Sequence, residues 1–193
     1  VYFRCLQTSK YGIMERINID SSKHSLYSPF KNLYSISFPI FEQRTEKQQE
    51  KAFASTRYHL AGYEENNVFI GFISYWEFDG SVYIEHFAVN RELRGAGYGS
   101  TILRDFIRST EKIVLLEIDP VVDEVSEARL RFYKRCGFHE NPYPHTHPPY
   151  RDGYHAHPLV ILTTQRAITE KEYQTFYKEL TDIVMGKKQL ENK

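Results

Sequence analysis

The segment Arg94–Ser100 constrains the fold of this chain more than any other. It reads Arg-Gly-Ala-Gly-Tyr-Gly-Ser, follows a β-branched run that ends at Val89, and precedes a helical pattern. Glycine lacks a Cβ, so the backbone can turn sharply there and approach a ligand closely. The first N–H groups of a helix have no partner within the helix and attract phosphate, and an arginine adds two parallel donors. The segment therefore predicts a strand, a tight turn and a helix whose N-terminus binds phosphate.

Two common phosphate-binding loops fit this segment poorly. A Walker A loop needs Gly-Lys followed by Ser or Thr, and no such tripeptide follows these glycines. A dinucleotide-binding turn would place a third glycine where Ser100 stands. Glu117 and Asp119 nevertheless lie at about the distance, ~20 residues, at which an acidic side chain binds the ribose. Dinucleotide binding therefore stays a weaker alternative.

The sequence around the glycine turn changes between strand-like and helix-like patterns. Three runs rich in β-branched and aromatic residues precede it, and the Asp79-Gly80 pair between the second and third is typical of a two-residue hairpin. A helical stripe from Gly97 and an apolar run over 113–118 follow it. Because strand, helix and strand in succession imply a parallel crossover, we predict an α+β fold. Its mixed sheet is mostly antiparallel, with one parallel βαβ crossover near the centre and helices on both faces.

The remaining elements follow from capping and spacing. Capping boxes predict helices after Thr45 and Thr169. A helix over 124–136 is expected to bury three apolar residues at helical spacing, Val125, Ala128 and Phe132. The segment 139–158, rich in Pro, His and Tyr, is expected to be a long loop. A helix is also expected over 26–38.

Nothing in the sequence divides the chain into two domains. Residues 14–193 are interpreted as one domain whose first strand spans 13–19. Residues 1–13, which precede the first methionine, are interpreted as an N-terminal extension. The oligomeric state stays open.

Composition excludes several classes of protein. The chain has 25 Lys and Arg against 25 Asp and Glu, so a protein that mainly binds nucleic acid is not expected. No apolar run approaches the roughly 18–20 residues of a membrane span. The N-terminus lacks the pattern of a secretion signal, and neither Cys5 nor Cys136 has metal-ligand spacing. Two reduced thiols in a cytoplasmic protein are therefore expected.

Two segments together resemble the GNAT superfamily of acetyl-CoA-dependent N-acetyltransferases. The first is Arg-Gly-Ala-Gly-Tyr-Gly at 94–99, placed after Phe-Ala-Val at 87–89; the second is Phe-Tyr-Lys-Arg-Cys-Gly-Phe at 132–138. The likeness extends from about 14 to 164. It implies that the backbone of Phe87 and Val89 pairs with the pantetheine arm of acetyl-CoA, where this strand diverges from 113–118. It also implies that the pyrophosphate is bound by Arg94, Gly95, Ala96, Gly97, Tyr98, Gly99 and Ser100.

Two positions depart from this pattern. Many members carry Asn near the start of the second helix and Ala three residues later, where this chain has Ser126 and Arg129. The usual pantetheine contact from that helix is therefore not expected in the same form.

Two side chains are candidates for catalysis of amine acetylation. An alkyl amine has a pKa near 10.4 and must lose a proton before it attacks. Strand alternation places Glu85 among apolar positions, where burial would raise the pKa of a carboxyl toward the range of a general base. A glutamate here matches the base proposed in several GNAT enzymes. The alternative is a glutamate that pairs with a neighbouring Arg or Tyr. Alternation points His86 to the opposite face, so a packed histidine is expected there. Tyr133 resembles the family tyrosine that protonates the departing thiolate.

The acceptor pocket is the least defined part of the prediction. The resemblance implies that the segment around the last strand borders it, which makes Tyr150, Arg151 and His155 the candidate substrate contacts. Glu42 and Arg44 form a second candidate wall, although a solvated charge cluster is favoured there. Five of the eight histidines lie in 139–158, and a zinc site is conceivable, but no thiolate supports it and no metal is expected.

These observations favour a cytoplasmic N-acetyltransferase. Acetyl-CoA would donate its acetyl group to a primary amine by direct attack in a ternary complex, and the sequence does not identify that amine. A non-catalytic acyl-CoA sensor or scaffold is the alternative. A zinc- or dinucleotide-dependent protein is a third, weaker interpretation.

Overall fold

The computed structural model describes residues 7–9 and 12–186. Within them lie nine strands: β1 Gln7–Ser9, β2 Gly12–Asn18, β3 Tyr58–Glu65, β4 Val68–Glu77, β5 Ser81–Val89, β6 Ile113–Ile118, β7 Phe138–Glu140, β8 His145–His147 and β9 His157–Thr164. The α-helices of the same residues are α1 Tyr27–Ser37, α2 Glu46–Phe53, α3 Tyr98–Arg108, α4 Glu124–Arg135 and α5 Glu170–Glu179. A short 3₁₀ helix, Ile40–Glu42, joins α1 to α2, and a π-helix, Leu180–Val184, follows α5.

The strands form one mixed sheet in the order β1-β2-β3-β4-β5-β6-β9-β7, with β8 paired to β9. Among the described strands, β5 and β6 make the parallel pair, and every other pair is antiparallel. Helix α3 connects β5 to β6. The predicted α+β fold with one parallel crossover is therefore confirmed.

Helices cover both faces of this sheet, and each face has its own apolar core. Helices α1, α2 and α5 pack on one face, where buried residues include Phe30, Tyr34, Phe72, Tyr83 and Phe176. Helices α3 and α4 pack on the other face. Their buried residues Ile102, Leu103 and Leu130 share one apolar core with Ile73 and Leu116 of the sheet. The predicted apolar stripe of α3 is the part that the sheet buries. None of the helices in the described ranges is long and apolar enough to cross a bilayer.

Both predicted capping boxes are present. Thr45 and Gln48 exchange side-chain and backbone hydrogen bonds at the start of α2, and Thr169 and Glu172 do so at the start of α5. The predicted extension, residues 1–13, lies partly outside the described residues. Its described part includes β1, which pairs with the beginning of β2.

Two predictions about the second half of the chain are wrong. The segment 139–158 is not one long loop, because most of β7, all of β8 and the first residues of β9 lie within it. Helix α4 buries Ser126 and Leu130, whereas Val125 is 69% exposed and Ala128 is also exposed. All three predicted residues line an open cleft, and Phe132 of these also packs against the apolar core of the sheet.

A β-bulge interrupts β5. Tyr75 of β4 pairs with Ile84, and the preceding Ser74 pairs with His86, so Glu85 is an extra residue with no partner across the ladder. An extra residue breaks the alternation of side chains along a strand. The predicted opposite orientation of Glu85 and His86 is therefore wrong.

Both side chains lie on the face covered by α1. Glu85 accepts a hydrogen bond from Trp76, and the ring of His86 contacts the rings of Tyr34 and Phe38 with centroids 4.9 and 4.7 Å apart. The side chains of Glu85 and His86, although neighbours in one strand, thus lie on the same face of the sheet.

Gly71 of β4 lies against the backbone of β5 near the end of that strand, opposite Val89. A Cβ at this position would lie 2.4 Å from the carbonyl oxygen of Ala88 and 3.1 Å from the Cα of Val89, both backbone atoms. We expect Gly71→Ala to lower the free energy of unfolding by about 1–3 kcal/mol, because the two strands must separate. Urea unfolding measures this, and Gly80→Ala, where no atom lies within 4 Å, is the matched control. Equal stability of the two variants would contradict the close approach.

Candidate active site

A cleft opens where β5 and β6 diverge. Their parallel ladder ends at the pair Ile84 and Leu116, although both strands continue further. The resulting cleft of about 990 Å³ is lined by the second half of β5, the end of β6, the N-terminus of α3 and one side of α4. The predicted divergence of these two strands is therefore present.

The backbone of β5 presents amide groups to this cleft. The N–H of Asn90 donates to the carbonyl of Ile70 in β4. Because successive amides of a strand point in opposite directions, those of Phe87 and Val89 point away from β4, toward the divergence. Phe87 and Val89 both line the cleft, as predicted.

The N-terminus of α3 forms the wall next to Val89. Gly95 and Gly97 have φ of 85° and 89°, a left-handed conformation that favours glycine. No side chain within the described ranges caps this helix, and the first intrahelical bond runs from the N–H of Thr101 to Gly97. The N–H groups before Thr101 are therefore available to an anion.

Most of the predicted pyrophosphate residues lie around that wall. Those that line the cleft are Arg94, Gly95, Gly97, Tyr98, Gly99 and Ser100, whereas Ala96 does not. Sequence reasoning missed Arg104 and Arg135, which also line it. Helical periodicity could have identified Arg104, since it follows Ser100 by one turn of α3.

Glu85 also lines the cleft, but its carboxylate is buried and surrounded by donors. It accepts hydrogen bonds from Arg44 at 2.5 Å, from the hydroxyl of Tyr150 at 2.7 Å and from Nε1 of Trp76 at 2.9 Å. Burial acts to raise the pKa of Glu85, yet Arg44, His86 and Tyr150 outweigh it and lower the pKa to about 2. The predicted rise in this pKa is therefore wrong, because the sequence does not show that Arg44 is its partner.

Arg44 is buried together with Glu85. Its side chain is 6% exposed, and the same nitrogen that contacts Glu85 donates to the carbonyl of Val184 at 3.3 Å. Its guanidinium lies 5.3 Å from the ring centroids of both Trp76 and Tyr150. The expected solvated charge cluster is thus wrong for Arg44, which forms a buried ion pair.

Tyr133 reaches the cleft from α4. Its ring packs against Phe132 and Phe138, with centroid distances of 5.2 and 5.7 Å. Within residues 12–186 no group forms a hydrogen bond with its hydroxyl. Burial raises the pKa of Tyr133 to about 12, so this hydroxyl keeps its proton at neutral pH and can donate it.

A second buried carboxylate, Glu117, lies across the cleft on β6. It accepts a hydrogen bond from Tyr83 at 2.6 Å and a close one from His145, and His147 lies 3.8 Å away. Burial acts to raise the pKa of Glu117, but His147, His145 and Tyr83 outweigh it and hold the pKa below its usual value. With Asp119 in an ion pair with Arg129, neither acid is free to bind a ribose.

One of the three candidate substrate contacts lies in the cleft. Across the described ranges, no group of three His, Cys, Asp or Glu side chains is arranged to hold a metal ion. Tyr150 is buried, lines the cleft and binds Glu85, but Arg151 and His155 do not line it. Arg151 donates to the carbonyl of Gln43 at 3.1 Å, and His155 is exposed on the turn before β9. Two histidines missed by sequence reasoning, His147 and His157, face the cleft instead.

The residues that depart from the family pattern have structural partners. Ser126 is buried and forms a capping box with Asp123 at the start of α4. Arg129 lines the cleft and pairs with Asp119. The start of α4 therefore contributes an ion pair at the position where a small residue is usual.

Comparisons with known proteins agree with this architecture. The sequence model of the Acetyltransferase (GNAT) family matches residues 27–138. A curated protein, "Putative acetyltransferase YjbC" of Bacillus subtilis (strain 168), is 31% identical over 103 residues, which is 52% of each chain. The chain thus spans about half the length of this curated relative.

Solved structures share this fold over most of the chain. A structure described as "Putative acetyltransferase from GNAT family" from Bacteroides thetaiotaomicron is 30% identical, covers 90% of this chain and 99% of its own, and superposes with a TM-score of 0.83. A GNAT family acetyltransferase from Elizabethkingia anophelis with acetyl-CoA bound is 17% identical, covers 79% and 98%, and has a TM-score of 0.56. The second likeness concerns the fold alone.

Proposed function

The chain belongs to the GNAT acetyltransferase family, and we propose that it is an N-acetyltransferase that moves the acetyl group of acetyl-CoA to a primary amine in a ternary complex. The observation that carries this proposal is the cleft itself. It has a glycine turn and a helix N-terminus at the end of β5, strand amides along one wall, and a proton donor, Tyr133, on the other.

The groups at the end of β5 suit the donor. The free N–H groups of α3 and the guanidinium of Arg94 fit a pyrophosphate, since both supply donors to anionic oxygens. Arg104 and Arg135 add positive charge to the same wall. The amides of Phe87 and Val89 match a chain that carries its own amide groups, as pantetheine does.

The reaction requires two proton movements. A primary ammonium loses a proton, its nitrogen attacks the thioester carbonyl carbon, and the C–S bond breaks. We assign Tyr133 as the acid that protonates the departing sulfur, because its hydroxyl is unpaired among the described residues and stays protonated at neutral pH. A strand amide at the divergence of β5 and β6 would polarise the thioester oxygen.

Glu85 enters this proposal as a positioning residue. Its carboxylate holds the hydroxyl of Tyr150 at the cleft wall and is itself held by the buried guanidinium of Arg44. A carboxyl with a pKa of about 2 and three donors is a weak proton acceptor at neutral pH. The side chain of Tyr150 is therefore fixed where an acceptor would lie.

Arg94→Ala tests the donor site. We expect acetyl-CoA to bind about 10–100-fold more weakly, because a hydrogen bond to a charged group contributes about 1.5–3 kcal/mol. Calorimetric titration with acetyl-CoA, run beside NAD, measures this. Arg91→Ala is the matched control, because Arg91 is nearby and donates to the carbonyl of Ile36 without lining the cleft. Equal affinities for both variants would contradict the assigned site.

One observation favours a second candidate, a non-catalytic acyl-CoA sensor or scaffold. Glu85, the glutamate expected to be the base, forms an ion pair with Arg44. A panel of primary amines, comprising butylamine, benzylamine, spermidine and a lysine-containing peptide, separates the two functions when products are detected by mass spectrometry. Acetylation of any of them supports the enzyme, and saturable binding without product supports the sensor. A cytoplasmic location is part of the proposal, since the free thiol of Cys136 suits a reducing compartment.

A further inference from the structure

Glu42 is held rigidly at the cleft by the chain that connects α1 to α2. Its backbone carbonyl accepts a hydrogen bond from Nε2 of His86 at 2.9 Å and from the hydroxyl of Tyr34 at 3.4 Å. Its N–H donates to Pro39 at 3.0 Å. The side chain lines the cleft beside the bulged part of β5. Glu42 therefore occupies a fixed place although it lies outside regular sheet structure.

His157, the first residue of β9, faces the Glu42 carboxylate. Its Nε2 lies 3.7 Å from Oε1 of Glu42, and its ring packs edge-on against Phe41 with a centroid distance of 5.5 Å. Both ring nitrogens are enclosed, and neither has a hydrogen-bond partner within the described part of the chain. Enclosed nitrogens without partners are costly unless a ligand or a shared proton satisfies them.

The carboxylate of Glu42 differs from that of Glu85 in its partners. Glu85 accepts three hydrogen bonds, whereas no described residue donates one to the Glu42 carboxylate. The Glu42 side chain is 24% exposed, so it can meet a molecule in the cleft. Because its oxygens accept no hydrogen bond from these residues, the ionised carboxylate of Glu42 can accept a proton.

The charges around Glu42 favour its protonated form. Burial, together with the negative charges of Asp119 and Glu117 on the β6 side, raises the pKa of Glu42 to about 7 against the opposing effect of Arg129 of α4. Burial and the nearby His147 lower the pKa of His157. At neutral pH, Glu42 thus exchanges its proton readily while His157 is neutral.

We propose that Glu42 accepts the proton that the substrate ammonium must lose before attack, and that His157 positions the Glu42 carboxylate while this proton leaves to the water of the cleft. This inference rests on the proposed N-acetyltransferase function. An alkyl ammonium loses two protons during acetylation: one replaces the C–S bond at sulfur, through Tyr133, and the other leaves to solvent. The N–H bond breaks as an O–H bond forms on Glu42, and this proton then leaves to water through the exposed part of the Glu42 side chain.

The pH profile tests the role of Glu42. Because the base must be ionised, kcat/KM of the wild type is expected to fall as pH decreases through about 7. Glu42→Gln is expected to lower kcat about 100-fold and to remove this acidic limb, with unchanged affinity for acetyl-CoA. Glu46→Gln is the matched control, since its carboxylate is 68% exposed and pairs with Lys31 at the surface. The acceptor is whichever amine of the panel the wild type acetylates.

Two further readouts separate a base from a structural residue. The ¹³C signal of the Glu42 carboxyl, assigned by its loss in Glu42→Gln, should titrate near pH 7 in the full chain. His157→Gln should lower kcat about tenfold and retain the acidic limb, because Glu42 is still present.

The outcomes are distinct. A Glu42 carboxyl that titrates near its ordinary pKa, or a Glu42→Gln variant with wild-type kcat and acidic limb, overturns the base assignment. A wild-type chain that binds acetyl-CoA and acetylates no amine of the panel refutes the proposed function, and the base assignment with it. The two failures differ because the wild type is active only in the first.

Discussion

Replacing Arg44 with methionine is expected to lower the free energy of unfolding by about 3–5 kcal/mol. Arg44 and Glu85 are 6% and 0% exposed, so the variant leaves an ionised carboxylate buried without its counter-ion. Removal of one partner of a buried pair costs far more than the pair contributes, because the remaining charge has lost its hydration. The guanidinium also packs over the rings of Trp76 and Tyr150, and methionine replaces only part of that contact.

Urea unfolding followed by tryptophan fluorescence measures this effect. Trp76 is the single tryptophan of the chain and donates a hydrogen bond to Glu85, so its emission reports on this pair. Arg57→Met is the matched control, since its ion pair with Asp79 is 39% and 88% exposed and should contribute less than about 1 kcal/mol. The double variant Arg44→Met/Glu85→Gln should recover part of the loss.

The free energy of unfolding that Arg44→Met loses should depend on pH. In the wild type the pKa of Glu85 is lowered to about 2, so its stabilisation is present above its ordinary pKa near 4.5 and disappears as pH falls toward 2. Without Arg44, burial would raise this pKa, and protonation would then relieve the buried charge. The difference between Arg44→Met and the wild type should therefore be largest at pH 7 and smaller at pH 5. A small, pH-independent difference would show that the pair is not buried in solution.

Replacing Tyr133 with phenylalanine is expected to lower kcat about 1,000-fold if Tyr133 protonates the departing sulfur. The change removes one hydroxyl, and the ring contacts with Phe132 and Phe138 remain. The affinity for acetyl-CoA should stay the same, because the hydroxyl acts on charge that develops during transfer. Since burial raises the pKa of Tyr133 to about 12, the wild type should not lose this acid on the alkaline side until pH approaches 12.

Steady-state kinetics with the identified amine measure the effect. Tyr154→Phe is the matched control, because Tyr154 is 43% exposed on the turn before β9 and does not line the cleft. A Tyr133→Phe variant with nearly wild-type kcat would assign protonation of the sulfur to another group or to water.

Local patterns were sufficient to predict the fold and the glycine turn that lines one end of the cleft. The glycines of 94–100, the two capping boxes and the apolar stripe of α3 act within a few residues of each other, so the sequence displays them directly. The order of strand, helix and strand then fixes the parallel pair β5 and β6, and with it the position of the cleft.

The chemistry of the cleft depends on contacts that sequence does not display. A single extra residue in β5 turns His86 to the side of Glu85, and no residue preference marks a bulge there. Arg44 reaches Glu85 from a different part of the chain, and that contact reverses the direction of the Glu85 pKa shift. Glu42 and His157 meet because the 3₁₀ helix after α1 lies close to the first residue of β9. Ionisation in a buried site depends on partners more than on residue type, so the candidate acids and bases need the structure.

The divergence of β5 and β6 also bears on the solubility of the chain. A strand edge with unpaired N–H and C=O groups invites strands of other molecules to add to it, and such pairing leads to aggregation. An added strand needs a spacing of about 4.8 Å from each neighbour along its whole length. Because β5 and β6 move apart along their length, a strand placed between them could keep this spacing to both of them at only one point. The same wedge that opens the cleft therefore hinders a foreign strand from inserting between β5 and β6, and protects two open edges in the middle of the sheet.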